Sequence, residues 1–380
     1  MISSDQFCDV LEDQDVGFVS GVPCSYFSGP IERLSAQGVY VPAASEGAAL
    51  TMAAGAALRG VRTAVIAQNS GLGNMINPLT SLLLTYRIPT LVFMSLRGWP
   101  DPADDEPQHA VMGSATHALL DALGVAHWTL YQDSTDLGGI LAEAEKELAQ
   151  GRPAFVLVQK GAVGKRSAPP QQGGAGRLTR AEALPLLLSK FSGLPVVSTT
   201  GYTSRELFAA GDADSHFYMQ GSMGHASALG LGVALGAAHQ DGGAGPVVVL
   251  DGDGAALMHL GTMSTIGSRA PIGLVHVLFD NGTYESTGAQ PTTSGTVDFA
   301  AVARGLGYAS ARVCRTREEI EEGAEMMLRT TGPHFMVVPV GPIDGAVPNR
   351  ATSSISAPAL HARFASFMSA GATAEEDMCR

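Results

Sequence analysis

The chain repeats itself once, and an internal repeat constrains the fold more than any local pattern does. Phe18-Val19-Ser20-Gly21 resembles Val196-Val197-Ser198-Thr199 at an offset of 178 residues, Arg87-Ile88-Pro89 resembles Arg269-Ala270-Pro271 at 182, and Pro153-Ala154-Phe155 resembles Pro333-His334-Phe335 at 180. The order is the same in both halves. Each half opens on a strand-like run, continues into a helix of small residues (46–59 and 224–238) and returns to an apolar strand (63–67 and 247–250). Strands alternating with helices build parallel βαβ units. The expectation is therefore an α/β protein with two related, doubly wound parallel-sheet domains. A chain of 380 residues suggests two domains, or three small ones; the repeat favours two, with no central third domain expected. Residues 164–184, with two prolines, four glycines and mixed charge, read as a linker. The domains are then 1–175 and 176–380, the second ending in an alanine-rich C-terminal tail after Ala357.

Composition narrows the class of function. With 45 % hydrophobic and only 16 % charged residues, the chain is globular and not disordered. A net charge of −13 disfavours nucleic acid and anionic membrane surfaces, which are bound through Lys and Arg. The longest apolar stretch, 226–238, is too short to span a bilayer, and the amino terminus lacks the order of a signal peptide. Four cysteines, Cys8, Cys24, Cys314 and Cys379, form no metal-type spacing, which fits a reducing cytoplasm.

The chemistry is concentrated in two strings of the second half. Val247-Val248-Val249-Leu250 runs into Asp251-Gly252-Asp253-Gly254, and the apolar run 273–279 ends in Asp280-Asn281-Gly282-Thr283-Tyr284. Ligands of open α/β sheets gather at the carboxyl ends of the strands. Asp253, Asn281 and the carbonyl of Thr283 would give Mg²⁺ three oxygens and leave its other positions to water and a diphosphate. Glycines 252 and 254 let the backbone approach an anion, and Thr200-Gly201, after the first strand of this half, could hold an outer phosphate. Each string alone is more often an ordinary turn; it is their pairing after two strands that favours a site. Gly230, Gly232 and Gly236 offer a competing dinucleotide fingerprint, but they lie inside a helix-like stretch and not at a strand-to-helix turn.

Gly252-Asp253-Gly254, followed by the 25 residues 255–279 and then Asp280-Asn281, resembles the thiamin diphosphate binding motif. The wider family prefers Asn at the position of Asp280, which lies outside the implied ligand set. Gly221-Ser222-Met223-Gly224 resembles the segment whose large apolar residue, here Met223, holds that cofactor bent. The resemblance thus implies thiamin diphosphate and Mg²⁺, with Asp253, Asn281 and Thr283 on the metal. It implies a cofactor site built from Thr200, Gly201, Gly221, Ser222, Met223, Gly252, Asp253, Gly254, Ala255, Asn281, Thr283 and Tyr284. The halves become a pyrimidine-binding domain (1–175) and a diphosphate-binding domain (176–380). In such enzymes the two kinds of domain meet across subunits, so a homo-oligomer with active sites between subunits is implied.

In the first half, Ala43-Ala44-Ser45-Glu46-Gly47-Ala48 places one carboxylate at the head of a small-residue helix, where simple capping would explain it. The resemblance assigns Glu46 a proton shared with the aminopyrimidine. Asn69 and Ser70 follow the strand 63–67, and Arg97 follows the strand 90–96, as a cation for an anionic substrate or as half of a salt bridge. Gln68 to Asn74, then Asn77-Pro78-Leu79, and Asp105-Glu106-Pro107-Gln108-His109 resemble the phosphonopyruvate decarboxylase family, with sulfopyruvate decarboxylases as near relatives. What this implies is a carboxy-lyase acting on a small 2-oxo acid, with Glu46, Asn69 and His109 catalytic and Asn69, Ser70, Arg97, Gln108 and His109 near substrate. The alternatives are a sulfopyruvate decarboxylase and a non-catalytic module that keeps the fold; intact Glu46, Asp253 and Asn281 argue against the latter.

Overall fold

A computed structural model describes residues 1–164, 176–237 and 247–378; the core of the expected linker, 165–175, and the end of the helix expected to run to 238 lie outside them. The chain divides into two compact units, Met1–Pro170 with Tyr284–Pro291, and Gln171–Thr283 with Thr292–Arg380. The short segment Tyr284–Pro291, kept in the second half by the sequence reading, is grouped with the first unit.

The first unit carries β1 (Val16–Gly21), β2 (Tyr40–Pro42), β3 (Arg62–Gln68), β4 (Leu91–Ser95), β5 (Ala126–Leu130) and β6 (Ala154–Val158). All pairings are parallel, in the order β2-β1-β3-β4-β6-β5. The second unit carries β7 (Val196–Ser198), β8 (His216–Tyr218), β9 (Val247–Gly252) and β10 (Leu274–Asp280). β11 (Thr283–Tyr284) and β12 (Gln290–Pro291) pair as a separate ribbon, and β13 (Ser310–Val313) and β14 (His334–Pro339) complete the second sheet. Its order is β13-β14-β10-β9-β7-β8, again parallel throughout. Read from the other edge this is the first sheet strand for strand, and the matched tripeptides fall at corresponding places: before β4 and β10, and at the heads of β6 and β14.

Parallel strands covered by helices on both faces are apolar along their whole length. β4 and β6 are buried at every residue, and β9 and β10 at every residue but the last. Apolar clusters flank each sheet, one set by Phe7, Phe27 and Phe93 and the other by Leu50, Val65 and Phe155 in the first unit.

The helix of small residues in each half lies between the second and third strands, at Glu46–Ala57 and Ala226–Ala237. The linker reading extended too far: Thr179 and Glu182 form a capping box that starts the helix Arg180–Lys190, a Thr-x-x-Glu signal present in the sequence. Ala357–Met378 is one helix. No described helix is long and apolar enough to cross a membrane, and Cys8, Cys24 and Cys314 are buried.

Candidate active site

In the first unit the carboxyl edge of the sheet collects Glu46 after β2, Asn69 and Ser70 after β3, and Arg97 after β4. Ser45 caps the helix that Glu46 begins, its hydroxyl accepting from the Ala48 N–H at 3.3 Å. Capping is therefore the work of Ser45, and the Glu46 carboxylate is left to other partners. It is only 6 % exposed, and its Oε2 accepts from Asn74 Nδ2 at 2.8 Å. The small residues around it have a steric purpose. A Cβ on Gly47 would stand 2.7 Å from the Asn74 carbonyl, and one on Gly71 would stand 2.4 Å from the Glu46 carboxyl group. Asn74 and Gly71 belong to the string Gln68 to Asn74, but the sequence reading gave neither a role.

Gly71→Ala tests this packing. The atoms it crowds are the far end of a flexible side chain, so Glu46 moves and the backbone stays. A displacement of about 1 Å from a catalytic position costs on the order of 100-fold in rate. The expected result is that loss in turnover with a melting temperature close to wild type, measured by activity assay and calorimetry.

Asn69 and Arg97 depart from expectation. Asn69 is fully buried and its amide is committed to protein: Nδ2 donates to the Arg97 carbonyl at 2.9 Å and to Thr116 Oγ1 at 3.3 Å, and Oδ1 accepts from the Arg97 N–H at 3.2 Å. It positions the end of β4, both of its amide protons are engaged, and only one lone pair of Oδ1 is left. Arg97 takes its salt-bridge alternative, with Nε donating to Asp105 Oδ2 at 2.6 Å and the guanidinium 5.6 Å over the Tyr26 ring. Burial alone would raise the Asp105 carboxyl, but Arg97 and the N–H groups of Glu106 and Gly98 hold it well below the usual carboxylate range. The Arg97 charge is thus neutralised internally and is not a free anchor for an anion.

His109 is buried, at the end of a single turn Pro107–His109 that leads into the helix Ala110–Ala122. Gly98, at φ 69°, makes this possible: a Cβ there would meet the His109 carbonyl at 2.3 Å. Ser70 is exposed and accepts from Gln68 Nε2 at 2.6 Å. Gln108 Oε1 is buried without a hydrogen-bond partner among the described residues.

In the second unit β9 and β10 are hydrogen-bonded neighbours, with Gly252 opposite Phe279, so Asp253 and Asn281 emerge at one edge. Asp253 is 3 % exposed and makes no ion pair with a basic side chain among the described residues. Its Oδ2 accepts from Thr292 Oγ1 at 2.5 Å. Burial pushes its carboxyl up to about 6; the Thr292 hydroxyl works against that and the Asp280 charge adds to it. Asn281 Oδ1 accepts from the Thr283 N–H at 3.0 Å, which leaves one lone pair. Asp280 is held apart, its Oδ1 accepting from Ser294 Oγ at 2.9 Å.

The loop 221–225 closes on this edge. Ser222 sits at φ 53°, a left-handed conformation uncommon outside glycine, and Gly224 at φ 84° is packed so that a Cβ would meet His259 Cδ2 at 2.6 Å and the Ala255 carbonyl at 3.0 Å. Thr200 Oγ1 donates to the Gln220 carbonyl at 2.8 Å, so its proton is not available to a phosphate; the neighbouring Thr199 Oγ1 is buried with no partner among the described residues. Gly201, at φ 91°, precedes the helix Tyr202–Ala210. Gly252, Gly254 and Ala255 stand at the end of β9 and in the first turn of the next helix, where N–H groups have no intrahelical partner. A Cβ on Gly252 would meet nothing within 4 Å. Tyr284 falls in the segment grouped with the first unit, although it shares β11 with Thr283.

These observations fit a magnesium diphosphate. A buried carboxylate without a cation, an amide oxygen with a free lone pair and orphaned hydroxyls at Thr199 and Thr283 are what a hard cation and its phosphates would satisfy.

Two family models match the chain: the thiamine pyrophosphate enzyme N-terminal TPP binding domain over residues 1–109 and the corresponding C-terminal TPP binding domain over residues 202–338. The fold is thus that of a thiamin diphosphate enzyme. A phosphonopyruvate decarboxylase from Streptomyces viridochromogenes is 41 % identical over 368 residues, covering 91 % of this chain and 90 % of that one. A phosphonopyruvate decarboxylase from Streptomyces hygroscopicus is 40 % identical over 90 % of this chain and 88 % of its own. The chain belongs to the phosphonopyruvate decarboxylase family and is a thiamin diphosphate-dependent decarboxylase. The sulfopyruvate decarboxylase subunit beta of Methanothermobacter thermautotrophicus is 40 % identical over 171 residues, 45 % of this chain and 86 % of that subunit.

Proposed function

We propose that this chain converts 3-phosphonopyruvate to phosphonoacetaldehyde and CO₂ as a step of phosphonate biosynthesis. The observation that carries the substrate is the match along nine-tenths of the chain to two proteins named for it. Asp253, one lone pair of Asn281 Oδ1 and the Thr283 carbonyl would hold Mg²⁺, and the N–H groups of Gly254 and Ala255 would be available to the diphosphate. Met223, with Gly221 and Ser222 beside it, would support the cofactor's rings. When bound, thiamin diphosphate supplies a carbon nucleophile and a sink for the electron pair of the breaking C–C bond. Glu46, oriented by Asn74, holds the proton at the pyrimidine nitrogen. His109 delivers a proton to the carbon that loses CO₂, so the product leaves as an aldehyde. Ser70 and Gln108 are the polar side chains offered to the phosphonate, since Arg97 is engaged by Asp105.

The test is CO₂ release from phosphonopyruvate, sulfopyruvate and pyruvate, with the cofactor and Mg²⁺ present and then removed. The expected result is cofactor-dependent release, fastest from phosphonopyruvate. A higher kcat/KM for sulfopyruvate would move the assignment to sulfopyruvate decarboxylase.

The chain further acts as a homo-oligomer, with Glu46 of one subunit serving the cofactor held by the next. Mixing inactive Glu46→Gln and Asp253→Ala proteins then restores activity through hybrid sites. Failure of subunit-exchanged mixtures to regain activity sinks the shared-site arrangement.

A further inference from the structure

Three polar side chains are sealed in the apolar layer of the second unit, and the chemistry above uses none of them. Asp251 on β9 and His276 on β10 are both fully buried, and Tyr308 is nearly so. Tyr308 Oη lies 3.1 Å from His276 Nδ1, His276 Nε2 lies 3.4 Å from Asp251 Oδ2, and Asp251 Oδ1 accepts from the Gly252 N–H at 2.9 Å. The His276 ring also stands edge-on to Phe335, at 4.9 Å between centroids.

Asp251 Oδ2, facing Nε2 with no partner among the described residues, favours the tautomer with the imidazole proton on Nε2, in which the Tyr308 hydroxyl donates to Nδ1. The 3.4 Å contact is not closed into a hydrogen bond, and neither Asp251 Oδ2 nor His276 Nε2 has another partner among the described residues. Stability alone does not account for the group. Apolar side chains of similar shape in such a layer are commonly neutral or stabilising relative to buried polar groups that are only partly paired.

Its position in the sheet offers a different account. Asp251 pairs in register with Leu278 and His276 with Val249, so the two side chains meet diagonally across β9 and β10. These are the strands that end in Asp253 and Asn281. Asp251 is two residues before the first and grips the N–H of Gly252 between them; His276 is five residues before the second.

We propose that Asp251, His276 and Tyr308 are positioning residues that tie β9 to β10 and so set the placement of the two side-chain ligands for magnesium. The inference rests on the assignment of Asp253 and Asn281 as the metal site. Groups behind the direct ligands of a metal commonly change its affinity by about 10- to 100-fold when removed.

The experiment measures thiamin diphosphate retained by equilibrium dialysis across a Mg²⁺ series, with melting temperature recorded for each variant. Replacing the imidazole in His276→Phe raises the half-saturating Mg²⁺ about tenfold, and excess Mg²⁺ restores full cofactor occupancy. His276→Gln, which keeps a donor facing Asp251, recovers most of the shift. Tyr308→Phe, which deletes one oxygen, gives a smaller rise of about threefold and remains measurable if His276→Phe does not fold. A lowered melting temperature with wild-type Mg²⁺ dependence in both His276→Phe and Tyr308→Phe would overturn the proposal, because the group would then be merely structural. Cofactor retention that ignores Mg²⁺ in the wild-type protein, and is unchanged in Asp253→Asn, overturns the metal-site assignment and this inference with it.

Discussion

Glu46→Gln lowers CO₂ release by about 10²- to 10⁴-fold while thiamin diphosphate remains bound, the range for removal of a single positioned acid–base group. The substitution preserves shape and keeps a carbonyl oxygen to accept from Asn74 Nδ2, which now stands at 2.8 Å from Oε2. Ser45 provides the cap of this helix, so the fold does not depend on the Glu46 charge. In the proposed site the diphosphate is held through Asp253, Asn281 and Thr283, so Glu46 is not needed to retain the cofactor. Full activity in Glu46→Gln would falsify the role given to this carboxylate. Loss of bound cofactor along with activity would instead make it a binding group. Calorimetric titration with thiamin diphosphate, run beside the CO₂ assay, separates the two.

Asp253→Ala abolishes both activity and cofactor binding. The carboxylate is the one charged ligand in the proposed set, and without it Mg²⁺ meets only neutral oxygens, which bind it weakly in competition with water. The same residue predicts a pH dependence. Its carboxyl is raised to about 6, mainly by burial, against an ordinary value of 3.8. In the metal-free protein the folded state therefore binds more protons than the unfolded state between those values, and this contribution to stability falls as pH rises through that window. Mg²⁺ needs the deprotonated form. Below pH 6 its apparent affinity drops about tenfold per unit, and binding there releases close to one proton. Titration calorimetry in buffers of different ionisation enthalpy counts that proton. A Mg²⁺ affinity that is flat from pH 7 to pH 5 contradicts the assignment.

The duplication and the two strings at the ends of β9 and β10 were readable from the sequence because each is local. A strand, its terminal Asp-Gly or Asp-Asn and the following turn lie within ten residues, and the carboxyl edge of a parallel sheet is where such ends meet. The same logic found Glu46 at the head of its helix. It also over-read the linker, passing the capping box at Thr179 and Glu182, although that signal is equally local.

What the sequence by itself determined was the element order, its repetition in the two halves and the residue types at the strand ends, since hydrophobic period and turn residues act over a few positions. The partners of those chemical groups were decided only by the tertiary structure. Asn74 reaches Glu46 across 28 residues, Thr292 reaches Asp253 across 39, and Asp105 removes Arg97 from the pool of free cations through a loop that folds back over Gly98. Hydrogen bonds and charge pairing depend on ångström-scale approach between side chains that no sequence period brings together. Which carboxylate is buried without a cation, and which arginine is already neutralised, is therefore settled by packing.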